Sequence, residues 1–481
     1  MSRFPNPIER TLLLVGFALA RLGLIEKTRV KRTTNLAWPR IVTGLARMSK
    51  NAVDVAMVGV AVGGAAIGGV GIAGTFWGLT FGIGGGVAAG TIALVSQRYG
   101  AKAWVELGEA VRTSVFFSLL TTIPLAVTFY FFAEPLIGLI SSDPAVVEQG
   151  TIYLKYVSFA IPFGALNLVG SRTLVGADDA YTAMVVRALG AVANIAFNAF
   201  LIFGLDLGVL GAALGTVFAN ILVTGTFAIG LTRGHVPVAG SFPVTVDPRG
   251  TYIDIGTLRD LATIGIPVMG RTSVWMIAEL PMFGILDIFG SEILSAYVIV
   301  RRIWGLMNTP GWGFGLAGAS LVGQEIGSGD LSEADNYGRE IIRFGTAVYL
   351  IPAIIVAFFA EPIVYIFVDD PSDVAIDVAI NLLYVACIAS ILQAISQVTA
   401  GVLDGAGDTN WTFFSNIIGM FGVAIPVVYI GATTPLGLWG LYLAFIAEAG
   451  VPGALNYYRF STGKWKQISA RYSPDSTGPT D

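Results

Sequence analysis

Phe131-Phe132-Ala133-Glu134-Pro135 recurs, residue for residue, as Phe358-Phe359-Ala360-Glu361-Pro362, 227 positions further along a chain of 481 residues. At the same offset Leu94-Val95-Ser96-Gln97 with Gly100 returns as Leu321-Val322-Gly323-Gln324 with Gly327, and Asp143-Pro144 returns as Asp370-Pro371. Leu174, Gly176, Ala177 and Asp179 return at an offset of 229 as Leu403, Gly405, Ala406 and Asp408. Collinear matches at nearly one offset mark an internal duplication.

The sequence between these marks is oily. Apolar residues make up 54% and charged residues 12%, with a mean hydropathy of +0.74, whereas soluble domains carry about 25% charged residues. That composition excludes an ordinary cytosolic enzyme. One cysteine, Cys387, and one histidine, His235, leave no soft-ligand cluster for zinc, iron–sulfur or haem, so no cofactor is expected. A net charge of -4 gives no basic surface for nucleic acid. Sixty glycines scattered through apolar runs suit closely packed membrane helices.

Stretches of about 20 apolar residues, enough to cross the hydrocarbon core as helix, predict twelve spans: 38–60, 70–95, 112–132, 151–171, 181–203, 208–231, 260–287, 294–322, 341–360, 375–401, 410–430 and 436–458. Thr11 to Ile25, interrupted by Arg21, is too short to span and predicts an interfacial helix. No small-residue cleavage site follows it, which weighs against a signal peptide.

Lysine and arginine crowd the N-terminal arm (Arg3, Arg10, Arg21, Lys27, Arg29, Lys31, Arg32, Arg40) and the tail (Arg459, Lys464, Lys466, Arg471). Both termini are therefore expected in the cytoplasm. The connections 61–69, 133–149, 204–207, 288–293, 361–373 and 431–435 lack basic residues and are expected outside. Six spans per half return the chain to its starting side, so the repeats are parallel. The expected fold is an all-α polytopic membrane protein: twelve transmembrane helices in two six-helix lobes related by a pseudo-two-fold axis along the membrane normal. The expected division is a cytoplasmic arm (1–35), an N-lobe (36–232), an inter-lobe loop (233–259), a C-lobe (260–458) and a cytoplasmic tail (459–481). Two lobes around a central cleft is the architecture of a transporter.

Three motif-like features carry no chemistry here. Gly69-Val70-Gly71-Ile72-Ala73-Gly74 fits the dinucleotide fingerprint in letters, but no βαβ unit surrounds it. Gly78, Gly82, Gly86 and Gly90, spaced by four, describe a helix-packing stripe. The sequon Asn410-Trp411-Thr412 falls at the cytoplasmic face.

Charges inside spans are different, because each costs a few kcal/mol or more unless it meets water, a partner or a ligand. Asp54 lies within span 1 in Val53-Asp54-Val55-Ala56-Met57-Val58-Gly59, with Lys50, one turn earlier, the nearest compensating cation. Two readings compete: an Asp54–Lys50 pair on one helix face, or a carboxylate that alternates between a cation and a substrate. Glu279 in span 7, with Pro281 close behind, maps by the repeat to within two residues of Asp54. It reads either as a second functional acid or as a structural, hydrogen-bonded glutamate, with Arg271 as the other candidate partner. Asn194 and Asn198 in span 5 are four apart and face one direction. Thr216 in span 6 and Tyr153 near the outer end of span 4 fall at a compatible depth. Of Arg301 and Arg302 in span 8, at least one is expected to pair with an acid or face the cleft.

Asp54 within Val-Asp-Val-Ala-Met-Val-Gly, Leu321-Val322-Gly323-Gln324-Glu325-Ile326-Gly327-Ser328-Gly329-Asp330, and Gly405-Ala406-Gly407-Asp408-Thr409 together resemble the multidrug and toxic compound extrusion (MATE) family. The resemblance covers spans 1 to 12. It implies a cation-coupled antiporter that exports organic, often cationic and aromatic compounds in exchange for H⁺ or Na⁺. It also implies that Asp54 is the coupling acid and that Asn194, Thr216 and Tyr153 belong to its polar cluster. Asn198 stands where many members of one branch carry a second acid. Asp54, Asn194 and Asn198 would then supply oxygens to Na⁺, and Glu279 resembles a span-7 acid of another branch, with Gln393 in place of that branch's accompanying span-10 acid. Pro39 resembles a span-1 proline at which that helix bends.

The expected protein is thus a monomer in the cell membrane that meets small organic substrates and lipid, without nucleic acid. The rival reading is a lipid-linked oligosaccharide flippase, or another non-drug member of the same superfamily, which needs a basic cavity for diphosphate. Arg271, Arg301 and Arg302 are the cations that would build one. A membrane-embedded enzyme lacks the required His, Cys or paired-acid cluster.

Overall fold

The computed structural model describes residues 6–367 and 374–472, which are helical almost throughout. Asp370-Pro371, one partner in the repeat, lies outside the described residues. The helices run α1 (Pro7–Arg21), α2 (Lys27–Val62), α3 (Gly64–Gly100), α4 (Trp104–Phe131), α5 (Ala133–Gly138), α6 (Pro144–Val157), α7 (Ala160–Gly176), α8 (Ala180–Ala199) and α9 (Gly208–Arg233). A short antiparallel pairing of His235–Val236 with Gly240–Ser241 follows. Then come α10 (Ile255–Phe289), α11 (Ser291–Met307), α12 (Thr309–Gly327), α13 (Leu331–Phe358), α14 (Ala360–Tyr365), α15 (Val374–Gly405), α16 (Thr409–Ile417), α17 (Ile425–Thr433), α18 (Leu438–Ser461) and α19 (Trp465–Ser469). Wider π-helical turns at Phe200–Gly204 and Ile418–Ala424 extend α8 and join α16 to α17.

Among the described residues nine helical segments are long and apolar enough to cross a membrane, and the pair α6–α7, bent by 50°, makes a tenth. The two remaining expected spans are also helical. Span 1 is α2, whose basic first half lowers its apolarity, and span 8 is the pair α11–α12, interrupted at Asn308. Two connections are shorter than expected. The nine-residue loop 61–69 contracts to Gly63, and 288–293 contracts to Gly290, because a single glycine at φ 106° or 111° turns the chain where a side chain would be strained.

Duplication shows in the backbone as well as in the letters. α4 and α5 repeat as α13 and α14 with both ends shifted by 227 residues. The left-handed positions repeat too: Gly63 with Gly290, Lys102 with Gly329, Asp178 with Gly407, Gly208 with Gly437 and Gly234 with Gly463. Lys102 and Asp178 hold φ of 57° and 66° without being glycine, so the turn geometry persists where the residue has changed.

The described residues fall into two compact units, one of residues up to Ile41 together with those from Gly270, the other of Val42 to Met269. The divisions run through α2 and α10 because each helix packs differently along its length. In the first unit Arg29 on α2 binds Glu333 at 2.7 Å and Glu340 at 2.6 Å, and Gly313 leaves room for Ala37 and Ile41. In the second, Gly86 and Gly90 on α3 admit Gly265, Met269 and Leu261 of α10, which is the work of the expected glycine stripe. Gly69 likewise lies against the backbone of Gly150, so the fingerprint-like stretch is helix packing. The α1 helix, capped by Asn6, buries Leu12 and seats Gly16 against Val30 and Phe344.

In the Val42–Met269 unit, Val58, Ala66, Val70, Ile202, Val209 and Ala212 close one core cluster, with Tyr153 packed against it. Val157, Ala160, Ala213 and Val217 close another beside Tyr153. These contacts fix α2, α6, α8 and α9 around a small polar group.

Candidate functional site

That polar group starts at Asp54, 8% exposed on α2. The residue lies four positions before the fully buried Val58, which pins its face of the helix inward. Two donors hold the carboxylate. Lys50 Nζ stands 2.5 Å from Oδ2, and Asn198 Nδ2 donates to Oδ1 at 2.9 Å. Of the two sequence readings, the helix-face ion pair is therefore present, in company with a neutral donor from another helix.

Asn198 and Asn194 project from one face of α8, as their spacing requires. Asn198 Nδ2 also approaches Asn194 Oδ1 at 3.4 Å, Asn194 Nδ2 donates to Thr216 Oγ1 at 3.2 Å, and Thr216 Oγ1 donates to the Ala212 carbonyl at 3.0 Å. Tyr153 on α6 reaches the same place, beside Thr216 and within electrostatic range of Asp54. Five residues singled out from sequence, Asp54, Asn194, Asn198, Thr216 and Tyr153, are thus one connected cluster drawn from four helices. One acceptor is left over: Asn198 Oδ1 is buried with no hydrogen-bond partner and packs against Gly215, whose missing side chain makes the space. A buried amide oxygen without a donor is costly, and here it lies next to a carboxylate. Together they form an oxygen-rich place suited to a proton donor or a small cation.

Glu279 belongs to the other unit and is exposed on α10, so it is not part of this cluster. Its charge acts on Arg301. Arg301 meets Glu448 at 2.5 Å and is ringed by Trp275, Tyr297, Trp304 and Phe445 at 5.1–5.6 Å, so its charge faces an acid and aromatic rings. Arg302 is exposed. Arg271 pairs with Asp404 at 2.7 Å and Thr412 at 2.7 Å rather than with Glu279. Gln393 is buried with its Oε1 unpartnered. Glu448 carried a signal in the sequence, because an acid inside span 12 costs as much as one inside span 1; Asp404 lies past the expected end of span 10 at 401, and α15 extends to include it. Among the described residues no group of three or more His, Cys, Asp or Glu is placed to hold a metal ion.

Just ahead of α10, Asp254 accepts the Thr257 backbone N–H at 2.6 Å and caps the helix, which holds its carboxyl below the usual range.

Comparison with known proteins agrees with this architecture. The family model MatE matches residues 39–200 and 268–430, one match in each half. A probable multidrug resistance protein, YoeA, of Bacillus subtilis (strain 168) is 25% identical over 395 residues, covering 80% of this chain and 83% of the relative. The multidrug resistance protein PmpM of Pseudomonas aeruginosa is 25% identical over 451 residues, covering 89% and 91%. Among solved structures, a MOP superfamily transporter from Pyrococcus furiosus Vc1 superposes with a TM-score of 0.82 at 20% identity, covering 92% of this chain and 97% of that one. The Vibrio cholerae transporter VcmN in its bent form gives 0.82 at 18% identity, covering 96% and 100%. The fold is the all-α, twelve-helix transporter fold, and with both halves matched the chain belongs to the MatE family of multidrug and toxic compound extrusion transporters.

Proposed function

We propose that this chain is a secondary active antiporter that exports organic compounds in exchange for H⁺ or Na⁺ by alternating access, with Asp54 as the principal coupling carboxylate. It is a transporter and not an enzyme. The single observation that carries the assignment is the buried Asp54 carboxylate tied to Asn198, whose own side-chain oxygen is left without a donor. Family membership supports the transport class; the cluster supports the place.

The chemistry is competition for one carboxylate. In the described state Lys50 supplies the positive charge. A proton or Na⁺ arriving at Asp54 displaces that ammonium and changes which hydrogen bonds Asn198 and Asn194 make. The change biases the transporter between its two access states by the difference in cation affinity between them. Na⁺ would take its oxygens from Asp54, Asn194 and Asn198. With a neutral residue at 198, a proton on Asp54 is the simpler charge balance. Glu279, beside the Arg301–Glu448 pair, serves a separate and structural role in this reading.

The lobes of residues 36–232 and 260–458 would be the moving parts. The protein would work as a monomer in the cell membrane with both termini cytoplasmic, and its cargo would be an organic, often cationic and aromatic compound. The flippase alternative finds no support in Arg271 and Arg301, because each is already neutralised by an acid. The test is efflux of a fluorescent organic cation from proteoliposomes under separately imposed pH and Na⁺ gradients. Export driven by either gradient supports antiport. Equal export with both gradients collapsed removes it.

A further inference from the structure

The α1 helix is held to the rest of its unit along one side. Leu12 and Gly16 face inward, and the missing side chain of Gly16 lets the helix sit on Val30 of α2 and Phe344 of α13. The turn that follows is clamped to α13 as well. Glu340 accepts the Glu26 backbone N–H at 3.0 Å, and Arg343 donates to the Leu24 carbonyl at 3.1 Å. Glu340, Arg343 and Phe344 stand where the expected span 341–360 begins. These contacts hold α1 at the depth where α13 enters the hydrocarbon, the boundary between headgroups and acyl chains.

The other side of α1 faces outward. Arg10, Thr11, Leu14, Ala18, Arg21 and Leu22 fall within about 120° of one another around the helix axis, and all six are exposed. Leu14 and Leu22 are each exposed to 73%. Arg10 and Arg21 make no ion pair among the described residues. Glu9, an acid on the same helix, lies about 140° around from Leu14, toward the inner side, and is half-buried. A face that sets bare leucines between arginines suits a bilayer surface, where leucine enters the acyl boundary and arginine meets phosphate.

The basic residues next along the chain divide into two groups. Arg29 pairs with Glu26, Glu333 and Glu340, and Arg32 pairs with Glu325, so their charges are neutralised within the protein. Lys27 and Lys31, four apart on the first turns of α2, are exposed and make no ion pair among the described residues. Arg10, Arg21, Lys27 and Lys31 are thus cations left for something outside the chain. A basic cluster on an interfacial helix and directly beside a span is the pattern that draws anionic headgroups.

We propose that the outer face of α1, together with Lys27 and Lys31 at the start of α2, is a docking surface for anionic phospholipid, with the headgroup drawn to Arg10 and Arg21 and the acyl chains covering Leu14 and Leu22. The occupant is a lipid rather than a free phosphate, because the leucines between the arginines need an apolar cover that a soluble anion lacks. The site belongs to a different unit from Asp54 and stands apart from the antiport reading.

The experiment reads lipid contact at α1 and not transport, so its failure is distinct from failure of the antiport reading. Full-length protein carrying Leu14→Cys, with Cys387→Ala to remove the native thiol, is labelled with a nitrobenzoxadiazole dye and reconstituted into phosphatidylcholine bilayers containing a minority of phosphatidylglycerol. Equal amounts of bromine are carried on the acyl chains of one lipid or the other. The dye is expected to emit as in a bilayer interface, and brominated phosphatidylglycerol is expected to quench it about fivefold more than brominated phosphatidylcholine. Arg10→Gln with Arg21→Gln is expected to lose most of that preference, while Arg10→Lys with Arg21→Lys keeps most of it. Both arginines are exposed, so neither pair of changes disturbs packing. Emission characteristic of water would show that this face meets no bilayer and would overturn the proposal. So would equal quenching by the two lipids, an unchanged preference in the glutamine variant, or a lysine variant as unselective as the glutamine one.

Discussion

Asn198 donates its side-chain amide to Asp54 at 2.9 Å, joining α8 to α2 across 144 residues of sequence. The contact makes the carboxylate one end of a chain running through Asn194 to Thr216. Lys50 occupies the other carboxylate oxygen, so any arriving cation must compete with a charge tethered to the same helix.

Lys50→Met removes that competitor. The concentration of coupling ion giving half-maximal transport is expected to fall by roughly tenfold, which corresponds to about 1.4 kcal/mol, the scale of one charge-assisted hydrogen bond. Concentration-dependent uptake of H⁺ or Na⁺ into proteoliposomes measures it. An unchanged half-saturation point would show that the ammonium does not compete.

Gly215→Ala would place a methyl group against Asn198, both its side-chain oxygen and its backbone nitrogen, and backbone cannot swing away. The expected loss is about 1–3 kcal/mol of stability, with a parallel loss of transport as Asn198 is pushed from Asp54. Thermal unfolding in detergent, followed by tryptophan fluorescence, reads the first and vesicle efflux the second.

Glu448→Gln leaves Arg301 without its acid in a buried aromatic ring. Removing one member of such a pair costs about 3–5 kcal/mol, so a marked drop in melting temperature is expected. The double substitution Arg301→Met with Glu448→Leu should recover most of it, since no buried charge then remains. Equal damage in single and double variants would show that the pair does more than neutralise itself.

Asp254 carries a pH dependence whose sign is fixed by its lowered pKa. A carboxyl held lower in the folded state contributes stability above its unfolded pKa and loses it as pH falls through the folded one. Asp254→Ala is therefore expected to cost about 1 kcal/mol at neutral pH, the worth of a helix cap. The difference from wild type should close at strongly acid pH. Melting curves of both proteins across that range check it.

Much of this was legible in the residues. The duplication at an offset of 227 foretold the paired ends of α4 and α13, and the cost of burying charge singled out Asp54. The four-residue spacing of Asn194 and Asn198 foretold their common face. What escaped depends on distance in space. Glu279 matches Asp54 by repeat position, but an offset does not say which way a side chain turns, and it is exposed. Glu448 lies on a span with no conspicuous motif and Asp404 just beyond the expected end of span 10, and their partners Arg301 and Arg271 are 147 and 133 residues away.

The most direct measurement is gradient-driven efflux by Asp54→Asn in proteoliposomes, beside wild type reconstituted at equal density and orientation. The account predicts a folded, inserted variant that still binds substrate but exports none when a pH or Na⁺ gradient is imposed. Export at the wild-type rate would contradict it.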